Sequence, residues 1–132
     1  MTARTQLQET HDWCTVAAQA ASDKKASDPV VLDVGNVLAI TDAFVVTSGS
    51  NDRQVRTIVE AIEAGIKERG GPAPLRIEGL REAQWVLVDY GDFVVHVFIE
   101  EMRAYYDLER LWSDAPRYEW EGGARVPAAS GE

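Results

Sequence analysis

The stretch WVLVDYGDFVVHVF, from Trp85 to Phe98, decides the fold. Two β-rich runs flank a turn-forming centre, so it reads as a β-hairpin. A strand with one face in water alternates apolar and polar residues. Here both faces are largely apolar, with one histidine and two aspartates near the tip. Taking Tyr90-Gly91 as a two-residue turn places Asp89 opposite Asp92. Leu87 then pairs with Val94, Trp85 with His96, Val88 with Phe93 and Val86 with Val95. Cross-strand partners share a face. One face is therefore Val86, Val88, Phe93, Val95, Val97 and Ile99, uniformly apolar and assigned to the core. The other is Trp85, Leu87, Asp89, Asp92, Val94, His96 and Phe98. Two readings compete for that second face. Either a helix covers it, or it is a docking patch with a tryptophan anchor and a charged rim, as interface hot spots prefer. Two ionised aspartates across a tight turn repel. A basic partner or a solvated tip would relieve that repulsion.

Upstream of the hairpin, LRIEGL (Leu75 to Leu80) reads as a short strand. Before it lies the clearest helix, Asn51 to Arg69, where Val55, Ile58, Val59, Ile62 and Ile66 form one stripe. Ser50 or Asn51 caps it, Asp52 suits its first turn, and Gly70-Gly71-Pro72 stops it. Asp42 to Gly49 and Val30 to Val34 read as strands. Thr5 to Lys25 reads as an alanine-rich helix, closed by Asp28-Pro29. Downstream, a last helix starts near Glu100 and ends by Pro116, with Met102, Tyr105, Leu108, Leu111 and Trp112 as its buried stripe. The order is α-β-β-α-β-β-β-α. This predicts a single α/β domain, a mixed β-sheet of about five strands packed with helices. Residues 1–27 form an N-terminal helical segment and residues 28–116 the core. Residues 117–132, rich in Gly, Ala and Pro, read as a disordered tail.

The chain has 132 residues, 45% hydrophobic and 27% charged, with a formal net charge of -9. One domain with a real core fits that length. The negative charge argues against non-specific binding to nucleic-acid phosphate, which needs clustered Lys and Arg. It fits either simple solubility or docking on a basic protein. Cys14 is the single cysteine, so neither an intrachain disulfide nor a cysteine metal cluster is expected. The N-terminus has no apolar signal core, and no run reaches the roughly 18 apolar residues of a membrane span. A soluble, cytoplasmic protein is expected.

Signs of an enzyme are weak. TSGSN, Thr47 to Asn51, joins a strand to a helix, where backbone N–H groups can hold an anion. A nucleotidyltransferase would add metal-binding carboxylates on a neighbouring strand. Here Asp42 and Asp52 flank the turn singly, and Asp33, Asp89 and Asp92 lie on other segments. The turn reads better as a helix cap, with a nucleotide site at Ser48-Gly49-Ser50 as the alternative. The serine lacks the G-x-S-x-G elbow of hydrolases. His96 reads as a packed residue, and His11 has no ligand-spaced neighbours. No cofactor and no metal are expected.

The segments VLDVGNVLAITDAFVVTSGSNDRQVRTIVEAI, RIEGLREAQWVLVDYGDFVVHVF and RAYYDLERLW closely resemble the ribosomal silencing factor family, also called Iojap. The resemblance runs from about Asp23 to Ala115, and the hairpin followed by YYDLERLW is its most specific part. It implies a nucleotidyltransferase-like fold without catalytic carboxylates and a non-enzymatic role. Family members bind the large ribosomal subunit through its ribosomal protein numbered fourteen, block joining with the small subunit, and lower translation when nutrients are scarce. They can also form homodimers. Carried onto this chain, the resemblance makes Trp85 the anchor and Asp89, Tyr90 and Asp92 the tip of the docking site. His96 and Phe98 extend it, Tyr105 and Tyr106 border it, and Ser50, Arg53 and Gln54 are weaker candidates. A homodimeric adaptor with a non-ribosomal partner stays open as a further alternative.

Overall fold

The structure is a computed structural model and describes residues 5–36, 38 and 40–120. Helix α1 (Gln6–Asp23) starts at a reciprocal cap. The Thr5 hydroxyl accepts from the Gln8 N–H, and the Gln8 side chain accepts from the Thr5 N–H. Its inward side is small: Cys14, Ala17, Ala18 and Ala21 are fully buried. Such residues let a neighbouring helix come close. That neighbour is α2 (Asp52–Glu68), whose Asn51 cap accepts from the Gln54 N–H at 2.8 Å. The stripe Val55, Ile58, Val59, Ile62 and Ile66 is fully buried, as its helical spacing predicts. No helix among the described residues is long and apolar enough to cross a membrane.

Both helices pack on one face of a mixed sheet. Its strands are β1 (Ser27–Asp33), β2 (Ala43–Gly49), β3 (Arg76–Glu78), β4 (Trp85–Asp89), β5 (Phe93–Ile99) and β6 (Arg117–Tyr118), in the spatial order β3-β4-β5-β2-β1-β6. β2 and β5 pair in parallel and the other neighbours antiparallel. A parallel pair needs a crossover, which α2 supplies. All seven residues of β2 are buried, as a central strand covered on both faces requires.

The sheet has six strands rather than five. The sixth lies in the segment expected to be disordered. Tyr118 pairs with Val31 and Arg117 with Leu32, and both Tyr118 and Trp120 are buried. The Trp120 indole N–H donates to the Pro29 carbonyl at 2.9 Å, and Tyr118 stacks on His11. The two aromatics sit two residues apart, the spacing of a strand face, but the Gly, Ala and Pro that follow dominate the composition of the tail. Residues 121–132 of the expected tail lie outside the described residues.

The hairpin register also differs. Trp85 pairs with Phe98, Leu87 with His96 and Asp89 with Val94. The Tyr90 N–H donates to the Phe93 carbonyl, leaving Gly91-Asp92 as the two-residue turn. Gly91 has φ 89°, and a two-residue turn of the II′ type takes glycine first. Tyr90 would have been strained there. The slip is two residues, so each side chain stays on its assigned face. Asp89 and Asp92 no longer oppose each other. The Asp89 carboxylate accepts from the Gly91 N–H at 2.8 Å, and that of Asp92 accepts from Gln6 at 2.7 Å.

The last helix is broken. α3 (Glu100–Tyr106) and α4 (Leu108–Leu111) meet at Asp107, whose φ is 51°. The stripe read from the sequence does not carry through this break. Leu108 is buried, whereas Tyr105 and Leu111 are 78% and 68% exposed.

Candidate functional site

The two faces of the sheet have different covers. Val86, Val88, Phe93, Val95 and Val97 meet α1 and α2 in the main core, with Ile99 packed against it. On the other face, Val30, Leu32, Val34, Phe44, Val46, Val94 and Phe98 form a second core under Leu108 and Ala115, flanked by Met102 and Trp112. The helical cover expected for that face is therefore present, but only in part. The corner of α3 and α4 covers the middle of the sheet. Towards β4 and β3 the cover stops, and Trp85 and Leu87 remain half-buried.

An aromatic cluster stands at that boundary. Trp85 stacks on its cross-strand partner Phe98 with ring centres 4.9 Å apart, and Tyr106 lies 4.6 Å from Trp85. Tyr105 meets Tyr106 edge-on at 5.0 Å. Phe98 is fully buried and supports the cluster from below, while Tyr106 is 46% exposed. Beside Trp85 a shallow groove is lined by Leu87, Glu78 and Gly79. Glu78 pairs across from Leu87, so its carboxylate shares the groove face. Gly79 is required there. Its φ is 86°, and a Cβ would lie 2.2 Å from the Trp85 carbonyl oxygen. Arg76, opposite Asp89, lies 3.4 Å from its carboxylate and partly neutralises that end of the rim.

His96 fixes Trp85 from inside. It is buried against Phe44, and its Nδ1 accepts the Trp85 indole N–H at 3.1 Å. An accepting Nδ1 leaves the proton of the neutral ring on Nε2. Burial pushes its pKa from 6.5 down to about 4, so the ring is uncharged at neutral pH. His96 positions Trp85 and takes no part in an exposed surface. Tyr90 points the other way. It stacks on Phe93 in the main core, and burial, with a smaller push from Glu63, raises its pKa to about 12. The structure thus joins Trp85, Phe98, His96 and Tyr106 directly, with Tyr105 beside them. Asp89 lies further along the same strand, Asp92 is exposed at the turn, and Tyr90 faces away. Leu87 was expected on this face but not singled out, and Glu78 and Gly79 were not among the expected site residues. Pairing RIE against WVLVD in antiparallel register would have pointed to Glu78.

Ser50 and Gln54 have a different task. The Ser50 N–H and hydroxyl both donate to the Gln54 side-chain oxygen, and the Gln54 amide donates to the carbonyls of Lys24 and Lys25. This latch ties the start of α2 to the end of α1. Arg53 is exposed on the first turn of α2. Ser48 and Gly49 are buried, and Ser48 Oγ accepts from Arg103. The described residues offer no group of three or more His, Cys, Asp or Glu side chains that could hold a metal ion.

Residues 7–131 match the family described as "Ribosomal silencing factor during starvation", a wider span than Asp23 to Ala115. A ribosomal silencing factor of Bacillus subtilis is 45% identical over 101 residues, 76% of this chain and 85% of its own. The mouse protein named for mitochondrial assembly of the ribosomal large subunit is 33% identical over 93 residues, 68% of this chain and 40% of its own. A crystal structure of a Chromobacterium violaceum protein superposes with a TM-score of 0.74 at 34% identity, covering 83% of this chain and 88% of that one.

Proposed function

This chain belongs to the ribosomal silencing factor family, and from that membership we propose that it binds the large ribosomal subunit and blocks joining with the small one. The contact runs through the large-subunit protein numbered fourteen, in the cytoplasm, and translation falls under nutrient limitation. The mechanism is steric and non-enzymatic.

One observation carries the reading: the second sheet face is left half-covered beside Trp85, Leu87, Tyr105 and Tyr106. Aromatic anchors in a partly desolvated groove with a polar rim are what interface hot spots use. Glu78 and a net charge of -9 suit a basic ribosomal protein. The mouse relative is named for assembly of the mitochondrial large subunit, which favours that subunit here. A second copy of the chain could occupy the same face, so homodimer formation would compete with docking. The nucleotide reading has less support, because the Ser50 N–H and hydroxyl are taken by Gln54.

Co-sedimentation with isolated large and small subunits tests the proposal, followed by a joining assay. The protein should pellet with large subunits alone and prevent whole-ribosome formation. Trp85→Ala should weaken binding by at least about tenfold, as loss of an anchor does, with native circular dichroism. Failure of the wild-type protein to bind either subunit at micromolar concentration would overturn the proposal. Capture of non-ribosomal proteins alone would instead favour an adaptor.

A further inference from the structure

The tyrosines beside Trp85 sit on α3, which with α4 forms a corner that cannot hold itself in place. α3 has seven residues and α4 has four. Isolated helices of that length are unstable in water. α3 buries none of its residues and has no side-chain cap at its start, and α4 buries only Leu108. Yet Tyr106, the last residue of α3, rests against Trp85.

Arg103 supplies the missing constraint. Its side chain is 12% exposed, and all five of its N–H bonds have acceptors. Nε and Nη2 grip the two oxygens of Glu109 at 3.1 and 3.0 Å, across the break at Asp107. Nη1 donates to the Ser27 carbonyl at 2.8 Å and to Ser48 Oγ at 3.1 Å. Nη2 also donates to the Asp28 carbonyl at 2.8 Å. Ser27 and Asp28 form the irregularity where β1 slips against β2, and Asp28 has φ 41°. One side chain thus joins α3, α4, β1 and β2. Five donors in a rigid fork are all that arginine has.

We infer that Arg103 is the positioning residue of the docking face: by fastening the α3–α4 corner to the β1 irregularity, it sets Tyr106 on Trp85 and leaves Tyr105 projecting. Its effect on binding rests on the docking reading, whereas its geometric effect is measurable in the free protein. Lysine cannot replace it, because an ammonium is a point charge with three donors and no fork. Glu109→Gln is a milder second variant. It leaves one acceptor and turns an amide N–H₂ against the guanidinium.

The test combines NMR of the free protein with subunit co-sedimentation, on Arg103→Lys, Glu109→Gln, Tyr106→Ala, Trp85→Ala and the Arg103→Lys/Tyr106→Ala pair. In the wild-type protein a cross-relaxation contact should join the Trp85 indole to the Tyr106 ring, whose centres are 4.6 Å apart. Arg103→Lys and Glu109→Gln should lose it while keeping native circular dichroism and cooperative unfolding. Arg103→Lys should bind large subunits about tenfold more weakly, and the double variant should bind no more weakly than Tyr106→Ala alone. An unchanged indole–tyrosine contact in Arg103→Lys, or additive losses in the double variant, would overturn the inference. Wild-type affinity in both Trp85→Ala and Tyr106→Ala would sink the docking reading, and with it any role of Arg103 in binding. The NMR contact reports separately on the geometry.

Discussion

Acid should destabilise this protein through His96. The ring is 5% exposed, held between Phe44 and the Trp85–Phe98 stack. Its pKa falls from 6.5 to about 4 because burial penalises the charged form. An unfolded chain binds the proton near the ordinary value, while the folded chain refuses it until the pH is much lower. Stability therefore rises with pH across that window. The contribution is present in full above about pH 6.5 and is lost as pH falls towards about 4. At about 1.4 kcal/mol per pH unit, the gap between the two values makes the loss about 3 kcal/mol at most. Protonation also makes Nδ1 a donor, so the Trp85 N–H loses its acceptor. The assay is urea unfolding of the wild-type protein and of His96→Phe, which keeps an aromatic ring and cannot titrate. Near neutral pH the variant should be less stable by about 1 kcal/mol, the worth of the lost hydrogen bond. At about pH 4.5 the order should reverse, because other groups titrate alike in both proteins. A stability difference that stays constant between the two pH values would refute the reasoning.

Three further substitutions probe the fold around the site. Trp120→Ala should cost about 3 kcal/mol of unfolding free energy, since it removes a buried indole and its bond to Pro29; a loss below about 1 kcal/mol would remove β6 from the stable fold. Gly79→Ala should cost at least about 1–3 kcal/mol, because φ is 86° and the new Cβ would strike the Trp85 carbonyl; thermal unfolding at wild-type temperature would contradict the loop geometry. Tyr90→Phe should be neutral or stabilising by up to about 1 kcal/mol, since the buried hydroxyl has no hydrogen-bond partner among the described residues; marked destabilisation in urea would reveal a partner for that hydroxyl.

The candidate site was readable from the sequence only in part. Trp85 stood out because an indole on a strand face rich in aromatics and bordered by acids is unusual, and the structure leaves it half-buried at the edge of the second core. Tyr106 was singled out from its place in YYDLERLW, and the structure rests it against Trp85. Tyr90 misled because residues next to a turn can face either way, and the shifted turn turned it inward. Arg103 carried no local signal. Its acceptors at Ser27, Asp28 and Ser48 come from distant parts of the chain, and only folding brings them together.

Caps, helical stripes and strand alternation are set by residues within a turn or two of each other. The sequence by itself therefore determined α1 and α2, the cap of α2, the strands that form the centre of the sheet, and the face on which each strand residue of the hairpin lies. Resemblance also pointed to the family to which the chain belongs. Tertiary structure decided the hairpin register, because a two-residue slip leaves the apolar pattern unchanged. It added β6, whose two residues have value only against the free edge of β1. It also decided how far the second sheet face is covered. That extent depends on where Asp107 bends the chain and on what Arg103 can reach, both long-range consequences of packing.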